Sequence, residues 1–267
     1  MASNFSNNTT ELYQPIKTFF VDSLSVKVYH QEAKMAQDAA YITQEYLQNL
    51  ITKQGKATVI LATGNSQIMF LQNLISLGAI DWSKVTLFHL DEYLGISGNH
   101  PASFRFYLQE KVEKFIKPHQ FNYIEGDVNE PLEECDRYTK LLSSQPIDLV
   151  FLGVGKNGHI AFNDPSVANF NDSRTVKLVK LDITNRQQQV DQGHFPNLNA
   201  VPQYAFTLTI PTICSAKKIL CFAPGKRKAK VIKDMLYNPI NQFCPASILR
   251  QKSQAILFLD TDSANLL

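Results

Sequence analysis

Long hydrophobic runs are missing from this chain: no stretch reaches the roughly 18 consecutive apolar residues that a membrane-spanning helix requires. No basic start backed by an apolar segment opens the sequence, so neither secretion nor membrane insertion is expected. Charge of one sign is equally scarce. Lys and Arg number 26 against 24 Asp and Glu, a formal charge of +2, and with no helix-turn-helix segment in view nothing asks for a nucleic-acid partner. Cysteine is sparse: Cys135, Cys214, Cys221 and Cys244 include no CxxC pair, and a reduced cytoplasmic protein is the expectation. The six histidines include no HxxxH helix pair, so neither a metal nor another cofactor is indicated.

What is present is ample core material. Hydrophobic residues make up 44% of the chain and charged residues 19%, below the roughly 25% usual for soluble domains, which excludes disorder of the whole. Residues 1–14, rich in Asn, Ser and Thr, read as a loose tail. No linker, low-complexity segment or repeat divides the remainder, so residues 15–267 are expected to form one domain.

Its pattern alternates. From His30 to about Lys53, Ala36, Ala39, Ala40, Tyr46, Leu47, Leu50 and Ile51 recur at helical spacing among polar residues. A short β-branched run, residues 57–62, leads through Thr63-Gly64-Asn65-Ser66 into a second helical pattern ending at Leu77. The same grammar returns with strands over residues 85–90, 147–152 and 218–223, and helices from about Ser103, over residues 132–143 and to about Leu236. Residues 204–209 and 255–259 are further strand candidates. Short, continuously apolar strands alternating with helices predict a doubly wound α/β fold, a mainly parallel sheet with helices on both faces.

In such sheets ligands bind outside the carboxyl ends of the strands. Four polar segments follow predicted strands and are expected to converge there: residues 63–66, 91–93, 153–164 and 225–228. At residues 63–66, Gly64 lets the backbone approach a ligand and unpaired amides at the helix start can face an anion; the alternative is that Asn65 or Ser66 merely caps the helix. The lysines of Gly225-Lys226-Arg227-Lys228 could complete an anion clamp or could be a solvated face. Gly153-Val154-Gly155-Lys156-Asn157-Gly158 matches G-x-G-x-x-G, with Asp182 as the ribose acid of a dinucleotide reading. Pro165 arrives too soon for the long helix that reading needs, so a loop presenting His159 is preferred. An imidazole can give and take a proton near neutrality, and Asn157 and Asp164 are close enough in sequence to orient it. Asp91 and Glu92 leave the end of a strand, where one carboxylate can serve as a general base; residue type alone does not choose between them.

At these segments the chain resembles the glucosamine-6-phosphate deaminase (isomerase) family. The residues that carry the likeness are Leu61-Ala62-Thr63-Gly64-Asn65-Ser66, Leu90-Asp91-Glu92-Tyr93-Leu94-Gly95 with Asn99-His100-Pro101-Ala102-Ser103-Phe104, and the most specific run, from Gly153 through His159 to Asn163-Asp164-Pro165. Weaker support comes from Ser173-Arg174-Thr175, from Val201-Pro202-Gln203-Tyr204-Ala205 and from Gly225-Lys226-Arg227-Lys228-Ala229.

The resemblance implies a metal-free conversion of glucosamine 6-phosphate to fructose 6-phosphate and ammonia. Carried over, Asp91 is the base that moves a proton between C2 and C1, and His159 protonates the ring oxygen to open the sugar. Asn157 and Asp164 hold the imidazole; Thr63, Gly64, Asn65, Ser66 and Lys228 match phosphate-binding positions. The resemblance also implies a phosphate-contacting arginine within residues 182–195, for which Arg186 is named although out of step. Asp164 stands where the family usually has Glu, one methylene longer, and Asn157 where many members have Asp. The basic stretch tied to allosteric control is only partly matched around residues 174–177, so such control is not expected. The partner implied is a small-molecule sugar phosphate, with homo-oligomerisation left open. The rival readings are a 6-phosphogluconolactonase-like hydrolase and a non-catalytic sugar-phosphate sensor.

Overall fold

A computed structural model describes residues 13–267. Most of the expected tail therefore lies outside the described residues, and Tyr13 stacks on Tyr41 with ring centroids 5.9 Å apart.

The first strands among the described residues are an antiparallel pair that the sequence pattern did not announce, β1 (Lys17–Val21) and β2 (Leu24–Tyr29). The long helix α1 (Glu32–Gln54) follows and buries Met35, Ala36, Ala39, Ala40, Thr43 and Leu47 on one face. Next come β3 (Ala57–Leu61) with α2 (Asn65–Ser76), β4 (Val85–His89), the short β5 (Asp91–Tyr93), α3 (Phe104–Lys111), β6 (Gln120–Phe121), α4 (Pro131–Ser143) and β7 (Leu149–Gly153). The second half holds β8 (Val176–Lys180), α5 (Ile183–Asp191), β9 (Tyr204–Leu208), α6 (Ile210–Cys214), β10 (Lys218–Phe222), α7 (Ala229–Tyr237) and β11 (Ala255–Asp260).

Eight strands form one sheet in the order β1-β2-β11-β10-β7-β3-β4-β6, parallel throughout except at β1–β2. Every residue of β3 and β4 is buried, as near-continuous apolar strings require when helices cover both faces. α2 seals one face with Phe70, whose ring lies 4.5 Å from Phe222 and 4.8 Å from Phe151; Phe222 in turn stacks on Phe258 at 5.1 Å. Strand order reverses between β3 and β7, and these two pair only at Val59–Leu149 and Ile60–Val150 before they diverge. A crevice at that reversal is where an open α/β sheet takes its ligand.

The expectation of one sheet needs an addition. β5, β9 and β8 form a separate antiparallel sheet of three strands, in which Asp91 pairs with Thr207 and Tyr93 with Ala205. Residues 91–93, expected as a polar segment following a strand, are thus a strand in their own right, because their hydrogen-bonding partners come from a distant part of the chain. Among the described residues no helix is long and apolar enough to cross a membrane.

Candidate active site

The ends of β3, β4, β7 and β10 open onto one cavity of about 680 Å³. Thr63, Gly64, Asn65, Ser66, Asp91, His159 and Lys228 all line it.

The turn after β3 is shaped by Gly64, whose φ of 101° lies in the region that favours glycine. Gly64 is also the N-cap of α2, and no side chain caps that helix. The capping alternative for Asn65 and Ser66 is therefore removed: both line the cavity, and among the described residues no side chain caps the first amides of α2. The Tyr107 hydroxyl donates to the Gly64 carbonyl at 3.2 Å and ties the turn to α3.

The junction of β4 and β5 separates the two acids that residue type left equivalent. Glu92 turns inward, where its carboxylate accepts from Tyr93 N–H (2.9 Å), Ser103 Oγ (2.7 Å), Phe104 N–H (3.1 Å) and Arg105 N–H (2.8 Å), serving as the anionic cap of α3. Burial still outweighs these bonds and raises its pKa. Asp91 faces the cavity and is raised well above the ordinary carboxylate range, first by burial and then by the neighbouring Glu92 charge. Behind it His89, fully buried, donates from Nδ1 to the Asp91 carbonyl (2.9 Å) and accepts at Nε2 from Ile124 N–H (2.8 Å). Burial pushes this imidazole down to about 3, so it is a neutral brace for the strand.

The segment after β7 folds into turns and presents His159. Gly155 lies beneath the ring: a Cβ there would stand 2.1–2.3 Å from three imidazole atoms. Asn157 Nδ2 donates to Asp164 Oδ1 at 3.0 Å, which leaves its Oδ1 to face His159 Nδ1 at 2.7 Å. Asp164 Oδ1 also stands 3.0 Å from that nitrogen, so the shorter acid does reach the imidazole. Two acceptors at Nδ1 place the ring proton there and leave Nε2 as a free acceptor. Burial would raise the pKa of Asp164, but hydrogen bonds from His159, Asn157 and Asp182 N–H hold it below the usual range. Asn185 of α5 adds two contacts at 3.1 Å.

Lys226, Arg227 and Lys228 line the end beside β10. The Lys228 ammonium donates to the Val154 carbonyl, and burial foremost lowers its pKa. Arg186 lies apart from the other expected phosphate-binding residues. It does not line the cavity; its guanidinium donates to the carbonyls of Leu198 (2.6 Å) and Val201 (2.9 Å), holding the turn after α5. In its place α5 and the residues after it bring Gln188, Gln189 and His194 to the cavity. Sequence reasoning missed these, because α5 buries only Asn185, Gln188 and Gln189 and so lacks the apolar stripe that announces a helix. Phe104 and Phe162, stacked 5.6 Å apart, give the cavity an apolar wall that was also missed.

Residues 30–258 match the family model described as glucosamine-6-phosphate isomerases/6-phosphogluconolactonase. The chain belongs to that glucosamine-6-phosphate isomerase/6-phosphogluconolactonase family. Among relatives within it, a glucosamine-6-phosphate deaminase of Exiguobacterium sibiricum is 35% identical over 233 residues, 87% of this chain and 90% of that protein. One of Shewanella woodyi is 32% identical over 248 residues, 91% of this chain and 90% of that protein. The solved structure of a monomeric glucosamine-6-phosphate deaminase superposes with a TM-score of 0.83 at 31% identity, covering 91% of this chain and 99% of its own. A 6-phosphogluconolactonase from Thermotoga maritima shares the fold, with a TM-score of 0.70 at 18% identity, over 89% of this chain and 98% of its own.

Proposed function

We propose that the chain is a glucosamine-6-phosphate deaminase, which isomerises the open aldose and releases ammonia to give fructose 6-phosphate. The observation that carries this reading is the pairing, in one cavity, of a buried carboxylate at Asp91, with no side-chain hydrogen bond among the described residues, and an imidazole whose Nδ1 faces Asn157 and Asp164. The relatives at about a third identity, all deaminases by name, point the same way.

The phosphoryl group takes the start of α2, with amides of residues 65 and 66, the Ser66 hydroxyl and the Lys228 ammonium as its donors. His159 accepts the anomeric hydroxyl proton at Nε2 and returns it to the ring oxygen, and the sugar opens. Asp164 stabilises the cationic ring in between. Asp91 then removes the C2 proton while the aldehyde oxygen takes a proton from the substrate's own C2 ammonium, giving an enolamine, and Asp91 delivers its proton to C1. The resulting C2 iminium adds water and expels ammonia, so that amino sugar and water are consumed for ketose and ammonia. A carboxylate shielded from water is a stronger base than one in solution, which suits Asp91 to a carbon acid.

The four free cysteines support a reducing, cytoplasmic setting. Ammonia and ketose formation from glucosamine 6-phosphate, measured beside hydrolysis of 6-phosphogluconolactone, tests the assignment. Lactone hydrolysis without ammonia release would overturn it in favour of the hydrolase.

A further inference from the structure

Gln67 is out of character with its surroundings. It is fully buried on the face of α2 that also buries Phe70, Leu71 and Leu74. Its Nε2 lies 3.2 Å from the Leu152 carbonyl oxygen and 3.0 Å from Ser66 Oγ. A main-chain carbonyl can only accept, so the amide nitrogen must face it, and the orientation of the side chain follows. Its second N–H then points at Ser66 Oγ, which accepts. A hydroxyl that accepts from behind keeps its one proton for another partner, and Ser66 lines the cavity.

Two further features mark the contact. Leu152 lies past Ile60–Val150, the last rung between β3 and β7, so Gln67 spans the sheet where the crevice opens. Its Oε1 is buried with no partner among the described residues, which costs free energy that an aliphatic side chain would avoid. A local rule broken beside a ligand cavity is the mark of a functional demand.

We propose that Gln67 is a positioning residue for anion binding: by donating to Ser66 Oγ from inside the fold, it leaves the Ser66 hydroxyl proton directed at the phosphoryl group of the substrate. The proposal rests on the assignment of the α2 start to the phosphoryl group.

The test is a double-mutant cycle read by titrating inorganic phosphate under 31P NMR, with KM and kcat for ammonia release alongside. Gln67→Met should weaken phosphate binding and raise KM by about fivefold to tenfold, the net scale of one ordinary hydrogen bond, because the Ser66 hydroxyl is misdirected and not removed, with kcat little changed. In a Ser66→Ala background the same change should add nothing. Additive effects, or a fall in kcat at constant KM, would overturn the proposal. Gln67→Leu replaces the methionine variant if that one does not fold. Unchanged phosphate affinity in Ser66→Ala alone also refutes the idea. Failure of the wild-type protein to bind phosphate would remove the phosphoryl assignment itself, whereas phosphate binding without ammonia release would remove only the deaminase reading.

Discussion

Asp91 and Glu92 are consecutive residues of one short strand, yet Glu92 accepts four hydrogen bonds, three of them from the start of α3, while Asp91 faces the cavity with its pKa raised by burial. Side chains alternate across a strand, so pairing β5 with β9 sends neighbours to opposite sides. The acid bound by four donors is spoken for. The other is free to react.

Asp91→Asn should therefore abolish turnover by about a hundredfold or more while leaving phosphate binding nearly intact, because it deletes a proton acceptor and no anion contact. Near-wild-type ammonia release would exclude Asp91 as the base. The variant should also be more heat-stable at neutral pH. An acid whose folded pKa exceeds its unfolded value, about 3.9, opposes folding once ionised, so stability declines as pH rises from that value through the raised folded one. Thermal melts at several pH values should show the gain in Tm shrinking as pH falls toward 4.

Asp164 has the opposite sign. Its lowered pKa stabilises the fold above about pH 3.9, and that contribution is lost as pH falls through the folded value. Asp164→Asn should lower kcat by about tenfold to a hundredfold at little cost in KM, since it removes the charge that favours the cationic imidazole. Asp164→Glu should not improve the enzyme. Asp164 already stands 3.0 Å from His159 in a fully buried site, and an extra methylene there costs about 1–3 kcal/mol. A faster Glu variant would show that the aspartate contact is catalytically deficient.

Gly155→Ala separates catalysis from binding. The new Cβ would collide with the imidazole, so the ring must move, and a displacement of about 1 Å can cost about a hundredfold in rate. Phosphate affinity, which we propose is set at the start of α2, should stay within about twofold, on the rule that substitutions without shared partners act independently. Equal losses in both would mean that the glycine loop also shapes the anion site.

Lys228→Ala and Arg186→Ala should part in the same way. Removing the cavity-lining ammonium should raise KM about tenfold, the effect of a charge-assisted contact. Removing Arg186 frees two carbonyls and should cost about 1–3 kcal/mol of stability with phosphate binding largely kept. An Arg186 variant with normal Tm and lost phosphate binding would place the guanidinium at the ligand.

Elements with strong local periodicity were legible: α1, α2, α4 and α7 lie close to where their patterns fall, and the apolar strings became β3, β4, β7 and β10. The β1–β2 hairpin, β8 and α5 were not. In the hairpin β1 buries none of its residues, and α5 is carried by side-chain hydrogen bonds, Asn185 donating to Asp164 and Gln188 accepting from Lys156 N–H, which no hydrophobic period records.

By itself the sequence determined the parallel sheet, the four polar segments at its carboxyl edge and the chemistry of their side chains, because burial pattern and residue type are local properties. Only the tertiary structure decided that Asp91 and not Glu92 faces the ligand space, that Asp164 reaches His159, and that Arg186 supports a turn. Each of these depends on which hydrogen-bond partners distant segments deliver, and the linear order of residues does not contain that information.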